Sequence, residues 1–175
     1  MKKKSKYPFV IVLSALSAVL AVTMLSYGCG NTLEGKLAPQ LAGKDRTGKD
    51  FNLQNTRGKA VILYFWSTWA PPSRLGLSQM VRVQSDFRKR NLVVVGVAIR
   101  EEARPLARFI KEVPVNFPIV MGTTTIEDSY FGKEGVKLPM TIMLDGNGVV
   151  REHITGYQSR EDLVPLIEKM ADLTR

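Results

Sequence analysis

Two continuous apolar runs constrain the fold of this chain more than any other feature. Residues 60–66 are all aliphatic or aromatic, and residues 92–99 contain four valines and no polar side chain. Runs of this length and type are typical of strands that are buried on both faces of a sheet. Between them, Pro71 and Pro72 open a helical pattern that continues to near Arg90. A strand, a helix and a second strand in this order predict a right-handed parallel crossover.

The elements that follow predict an α/β domain with a mixed central β-sheet and helices on both faces. Upstream of the first apolar run, the turn-rich residues 43–49 can join a small hairpin. The strand from Pro139 to Leu144, the Asp145–Gly148 turn and a strand to Ile154 predict an antiparallel hairpin, and Ser159 is a good N-cap for a last helix. The remaining predicted elements are a helix over 103–113, a short strand over 117–121 and a helical turn or two over 126–131.

Composition excludes several kinds of site. The chain has one cysteine, Cys29, and one histidine, His153, so it forms neither an internal disulfide nor a Cys- or His-based metal cluster. We therefore predict no metal and no cofactor. The net charge of +9 is compatible with nucleic acid, but no recognition motif accompanies it, and we predict no nucleic-acid partner. A mildly basic face near anionic lipid is the simpler interpretation.

The N-terminus predicts export and membrane attachment. Four lysines precede an uncharged run over 7–28, the layout of a secretory signal and long enough to span a bilayer. The lysines predict that the following chain is extracytoplasmic. Ser26-Tyr27-Gly28-Cys29 resembles a bacterial lipoprotein cleavage site with Cys29 as the lipidated residue, and an uncleaved transmembrane anchor is the alternative. We predict a signal peptide or anchor over 1–28, a tether over 29–36 and a folded domain over 37–175, held at the extracytoplasmic face of the cell envelope.

The chain resembles the membrane-tethered thioredoxin-like proteins of the TlpA/ResA type, from about Ala38-Pro39 to its C-terminus. The resemblance implies a thioredoxin-like fold and a cis proline, Pro139, which leaves the backbone of Leu138 free to pair with an extended peptide. The motifs that carry it are Ala38-Pro39, Thr47-Gly48-Lys49, Arg57-Gly58-Lys59, Phe65-Trp66-Ser67-Thr68-Trp69, Pro71-Pro72, Val94-Val95-Gly96-Val97, Leu138-Pro139-Met140-Thr141 and Leu144-Asp145-Gly146-Asn147-Gly148.

The departures from that family pattern concern redox chemistry. Ala70 and Ser73 stand where the family has the two cysteines of its reactive turn, and Gly76 stands where it often has a glutamate. Ser78 replaces a proline that usually kinks the helix, and the strand before the turn lacks a buried acid. Thiol–disulfide exchange needs an attacking thiolate and a second thiol that resolves the mixed disulfide. We therefore expect no catalytic residues and no redox catalysis at this turn.

Three functions remain open from the sequence. The first is a redox-inactive module that binds a protein or peptide in a groove formed by Trp69, Ala70, Pro71, Pro72, Ser73, Leu138 and Pro139. The second is an enzyme, a thiol–disulfide oxidoreductase in cytochrome maturation or envelope redox chemistry, as the resemblance implies. The third is an assembly subunit, which differs from the first only in its partner.

Individual residues also have simpler structural interpretations. Trp66 is expected in the core. Trp69 is expected beside the turn and partly exposed, in a groove that either binds a partner or persists without use. Ser73 is expected to satisfy backbone groups at the helix N-terminus rather than to act as a nucleophile. A solvated helix face is the expectation for Arg100, Arg104, Arg108 and Lys111, with an acidic partner or lipid as the alternative.

Overall fold

The computed structural model describes residues 33–173. The predicted signal peptide or anchor over 1–28, the lipidation site Cys29 and the first part of the tether lie outside the described residues. Residues 33–173 fall within a single compact unit.

A five-stranded mixed sheet organises the domain, in the order β5-β4-β3-β6-β7. The strand β3 is central and pairs in parallel with β4 and antiparallel with β6, as the two apolar runs and the hairpin predict. The strands are β3 (Ala60–Trp66), β4 (Leu92–Ala98), β5 (Ile119–Met121), β6 (Met140–Leu144) and β7 (Val150–Thr155).

Helices cover both faces of this sheet, which confirms the predicted fold class. The first helix, α1, and the last, α4, pack on one face, together with α2; the third, α3, packs on the other. The helices are α1 (Pro71–Phe87), α2 (Ala103–Glu112), α3 (Thr124–Phe131) and α4 (Arg160–Leu173).

The strand β3 separates two hydrophobic cores. All seven of its residues are buried, and they alternate between the cores because successive side chains of a strand point to opposite faces. Ile62, Tyr64 and Trp66 belong to the core under α1 and α4, whereas Val61, Leu63 and Phe65 belong to the core on the α3 side. This double burial explains why the run is continuously apolar rather than alternating.

A small hairpin at the N-terminal side covers the edge of the sheet at β5. Its strands, β1 (Ala42–Lys44) and β2 (Asp50–Asn52), pair antiparallel across the predicted turn. The Asp45 carboxylate closes the turn by accepting the Thr47 and Lys49 backbone N–H groups at 2.8 and 3.0 Å. These hydrogen bonds, with the Thr47 hydroxyl as the largest contribution, hold the pKa of Asp45 below its usual value.

The helix α2 begins at Ala103, as predicted, although the predicted charged face extends back to Arg100. Arg100 and Glu101 lie in the preceding loop, not on the helix, so the predicted helix face is wrong at Arg100. Arg100 adopts a positive φ of 52° and forms an ion pair with Glu127 at 3.0 Å. Arg104 and Arg108 do lie on an exposed helix face, as expected.

Candidate functional site

The turn that the sequence analysis singled out leaves the carboxyl end of β3 and enters α1. Ala70 is the N-cap residue, with extended backbone (φ −95°, ψ 108°), and its methyl group makes no capping hydrogen bond. Pro71 and Pro72 occupy the first two helical positions, where a missing N–H leaves no intrahelical bond unmade. The prolines therefore start the helix in place of a capping side chain.

The loop before the turn is held by a carboxylate that sequence reasoning missed. Glu101 accepts hydrogen bonds from the backbone N–H of Thr68 and from its hydroxyl, the latter at 3.0 Å. The contact joins the loops after β3 and β4, which end side by side in the parallel sheet. No local pattern points to Glu101, because its partner Thr68 lies 33 residues away in the chain.

The strand β6 brings the cis proline to the same end of the sheet. Met140 pairs with Phe65 near the end of β3, so Leu138 and Pro139 lie beside the turn. The Leu138–Pro139 bond is cis, as the resemblance implies. The Pro139 carbonyl accepts the Gly156 N–H at 2.8 Å, whereas no backbone hydrogen bond of Leu138 occurs among residues 33–173. We call this end of the sheet, with Trp69, Ala70, Leu138 and Pro139, the groove end.

Exposure separates the two tryptophans in the way the sequence predicts. Trp66 is completely buried, and Trp69 is 59% exposed. Two further large side chains near the groove end are exposed, Leu75 at 65% and Tyr157 at 43%. Tyr157 follows Gly156, which hydrogen-bonds Pro139, so it belongs to the same surface. Sequence reasoning missed it because the segment after β7 carries no motif.

Ser73 does not satisfy backbone groups at the helix N-terminus, which is the role predicted for it. Its side chain is fully buried, and its hydroxyl has no hydrogen-bond partner among the described residues. It is the third residue of α1, past the N-cap position held by Ala70, so the prediction that it satisfies backbone groups is wrong. It also lacks a base, because His153 contacts the Met140 sulfur at 3.0 Å and Met140 belongs to the core on the α3 side.

Tyr64 occupies the space beside the start of α1. Its hydroxyl donates a hydrogen bond to the Ser73 carbonyl at 2.8 Å. Burial, with a smaller contribution from Tyr157, raises the pKa of Tyr64, so the phenol stays protonated and remains a donor. The tyrosine thus holds the first turn of the helix to the central strand.

Gly76 leaves room for that hydroxyl. A Cβ built at Gly76 would lie 2.2 Å from the Tyr64 oxygen, far inside van der Waals contact. A glutamate, which the resemblance implies at this position, has no space while Tyr64 is present. Tyr64 and Gly76 are therefore a sterically matched pair, and no carboxylate lies beside the turn at this position.

The site offers hydrogen-bonding groups and apolar surface but no thiol. Residues 33–173 contain no cysteine, since the chain's single cysteine is Cys29. Within the same residues, no three His, Cys, Asp or Glu side chains come together in a metal-binding cluster.

Comparisons with known proteins agree with the fold described above. The model of the AhpC/TSA family matches residues 35–153. A solved structure, a thiol:disulfide interchange protein of the thioredoxin family from Chlorobium tepidum TLS, superposes with a TM-score of 0.72 at 28% identity, covering 77% of this chain and 95% of that chain.

Curated relatives are similar over most of their length. The thiol-disulfide oxidoreductase ResA of Geobacillus thermodenitrificans is 30% identical over 78% of this chain and 77% of its own length. ResA of Bacillus subtilis is 32% identical, and the match covers 70% of this chain and 68% of that protein. The chain therefore belongs to the AhpC/TSA family of thioredoxin-like proteins, among the homologues of the ResA-type thiol-disulfide oxidoreductases.

Proposed function

We propose that this protein is a redox-inactive, thioredoxin-like binding module that holds an extended protein or peptide segment at its groove end. The observation that carries the proposal is the pair Ala70 and Ser73, which flank Pro71 and Pro72 where exchange chemistry would need two thiols. Ser73 is in addition fully buried, so its hydroxyl is inaccessible to a substrate. In place of reactive thiols, the groove end offers a surface for contact with another molecule.

The exposed backbone and side chains of the groove end support peptide binding. Leu138 is half-buried and makes no backbone hydrogen bond within residues 33–173, so its N–H and C=O are available to an added strand. Trp69 supplies a large exposed aromatic face next to it. Exposed aromatic side chains are frequent anchors of protein interfaces. Pro71, Pro72 and the backbone around Ala70 complete the proposed contact surface.

The proposal includes a location. The basic N-terminal residues, the uncharged run over 7–28 and Cys29 support a protein that is exported and tethered to the extracytoplasmic face of a membrane, by a lipid on Cys29 or by an uncleaved anchor. Among residues 33–173, no helix is long and apolar enough to cross a bilayer.

A second candidate, a thiol–disulfide oxidoreductase, is favoured by the names of the relatives. Reduction of insulin disulfides by the full chain separates the two, with Cys29→Ser as the form that lacks any thiol. We expect no reduction by the wild type or by Cys29→Ser, and measurable reduction after Ala70→Cys and Ser73→Cys are introduced together. Reduction by Cys29→Ser alone would overturn the proposal.

Partner capture tests the groove. Photo-crosslinking from Trp69 in membranes is expected to yield a defined adduct, and Leu138→Pro is expected to abolish it because proline removes the N–H of an added strand. The matched control is Leu37→Ser, since Leu37 is a similarly exposed apolar residue (62%) far from the groove. Equal capture by wild type and Leu138→Pro would remove this surface as the binding site.

A further inference from the structure

The end of the sheet opposite the groove is strongly basic. Lys59 immediately precedes β3, and Arg88 and Lys89 lie in the turn that leads to β4. The two segments are adjacent, because the Ala60 N–H bonds the Asn91 carbonyl at 3.1 Å and the Asn91 amide bonds the Gly58 carbonyl at 2.6 Å. We call this surface the basic end; it comprises Lys36, Arg46, Lys49, Lys59, Arg88 and Lys89, all exposed.

A cavity of about 610 Å³ extends this surface beneath the N-terminal hairpin. Arg46, Lys49 and Lys59 line it. The two acids that share its lining are engaged elsewhere, since Asp45 closes its own turn and Asp50 pairs with Lys44 at 3.0 Å. Within residues 33–173, Lys49, Lys59, Arg88 and Lys89 have no ion-pair partner. These four side chains therefore carry positive charge that no ion pair among the described residues neutralises.

The described chain also begins at the basic end. The Gly35 N–H bonds the Val150 carbonyl at 2.8 Å, and the Val150 N–H bonds the Lys36 carbonyl at 2.9 Å. Val150 opens β7 and pairs with Leu144, whose other neighbour, Val61, lies one residue inside β3. Gly35 and Lys36, near the start of the described residues, therefore lie at the same end of the sheet as Lys59.

We propose that the basic end docks on the anionic headgroups of a membrane surface. Clustered lysines and arginines next to a membrane-attached segment are attracted to anionic lipid, and the attraction is screened by salt. The groove end, at the other end of the same strands, then faces away from the lipid. This inference rests on the membrane attachment proposed above, but not on what the groove binds or on whether the turn has redox activity.

Lysine footprinting tests the orientation on the full chain. The protein is mixed with vesicles of phosphatidylcholine alone or of phosphatidylcholine with phosphatidylglycerol, acetylated briefly, and the modification at each lysine is measured by mass spectrometry. On anionic vesicles we expect about fivefold slower acetylation of Lys59 and Lys89, reversed at about 1 M salt. The reference is Lys137, next to Leu138 at the groove end, which keeps its rate.

A pair of variants with the same change in charge sharpens the test. Arg88→Glu with Lys89→Glu removes charge at the basic end and is expected to abolish protection of Lys59. Arg74→Glu with Arg104→Glu changes two exposed residues elsewhere and is expected to preserve it. Three outcomes would each overturn the proposal. Lys59 could be acetylated equally on both vesicle types, the chain could be absent from anionic vesicles, or Lys137 could be protected instead of Lys59.

Discussion

The two ends of the central strand differ in whether their buried polar groups are hydrogen-bonded within the chain. Among the described residues, four buried side-chain polar atoms lack a hydrogen-bond partner, and all lie towards the groove end: Trp66 Nε1, Ser67 Oγ, Ser73 Oγ and Thr141 Oγ1. At the basic end, the buried Asp145 accepts the Asn147 and Val149 N–H groups, each at 2.9 Å, and the Arg151 guanidinium.

This difference concerns the contribution of each end to the free energy of folding. Buried polar groups are normally hydrogen-bonded, and unpaired ones cost free energy of folding. The basic end has turns whose polar groups are satisfied within the chain, which is how a structural connection is stabilised. The groove end retains unpaired buried groups and an exposed tryptophan, and departures of this kind from local rules are expected at functional sites, in agreement with the binding surface proposed above. The predictions below test this contrast in order of decreasing effect.

The largest effect is expected at Asp145. Replacing it by alanine removes three hydrogen-bonding contacts and leaves two turn N–H groups unpaired, so we expect a loss of about 3 kcal/mol in the free energy of unfolding. Urea denaturation measures this loss, and Glu102→Ala is the control, because Glu102 is exposed and forms no ion pair within residues 33–173. A loss as small as that of the control would show that the turn is not a stabilising connection.

Gly76→Ala is expected to cost less, about 1–2 kcal/mol, because overpacking against Tyr64 outweighs the better helix propensity of alanine. Removal of the hydroxyl by Tyr64→Phe relieves the closest contact. The loss caused by Gly76→Ala is therefore expected to shrink in the Tyr64→Phe background, a coupling that a double-mutant cycle measures. Additive losses would contradict the matched pair.

Thr141→Val is expected to stabilise the protein by about 1 kcal/mol, since it replaces an unpartnered buried hydroxyl by a methyl group of similar volume. Thermal unfolding measures the gain. Thr56→Val is the matched control, because the Thr56 hydroxyl bonds the Leu53 carbonyl at 2.6 Å and its removal is expected to destabilise. If both variants lose stability, the groove end has no unpaired hydroxyl at Thr141.

The smallest effect is expected in the pH dependence of the unfolding free energy. Burial alone would raise the pKa of Asp145, but the Val149 N–H and Arg151 outweigh it and hold the pKa below its ordinary value of 3.8. A carboxyl group with a lowered folded-state pKa stabilises above its unfolded pKa and loses that contribution as the pH falls through the folded value. The difference in unfolding free energy between wild type and Asp145→Asn is therefore expected to stay constant above about pH 5 and to shrink below about pH 4. A difference that grows on acidification would contradict the lowered pKa.

The sequence predicts the fold well because the fold rests on local patterns. The continuous apolar runs place β3 and β4 to within a residue, and Pro71 and Pro72 begin α1 where expected. Burial on both faces makes these patterns strong. The tight turn at Asp145 likewise follows from residues that are adjacent in the chain.

The site is predicted less completely because its details depend on contacts between distant segments. The Glu101–Thr68 contact joins two loops that are 33 residues apart. The Tyr64 hydroxyl determines what fits at Gly76, and Tyr157 reaches the groove end from beyond β7. No single window of sequence contains these pairs. The error at Ser73 has the same origin, since its burial depends on the packing of α1 against the strand.

The close approach of Tyr64 and Gly76 imposes an order on mutational change. While the phenol is present, a saturation library at position 76 that is selected for stability is expected to be enriched in glycine. Acidic residues are expected there more often in chains in which position 64 has already lost its ring or its hydroxyl. A laboratory route that rebuilds a proton-transferring environment beside this helix is therefore expected to begin with a change in the central strand.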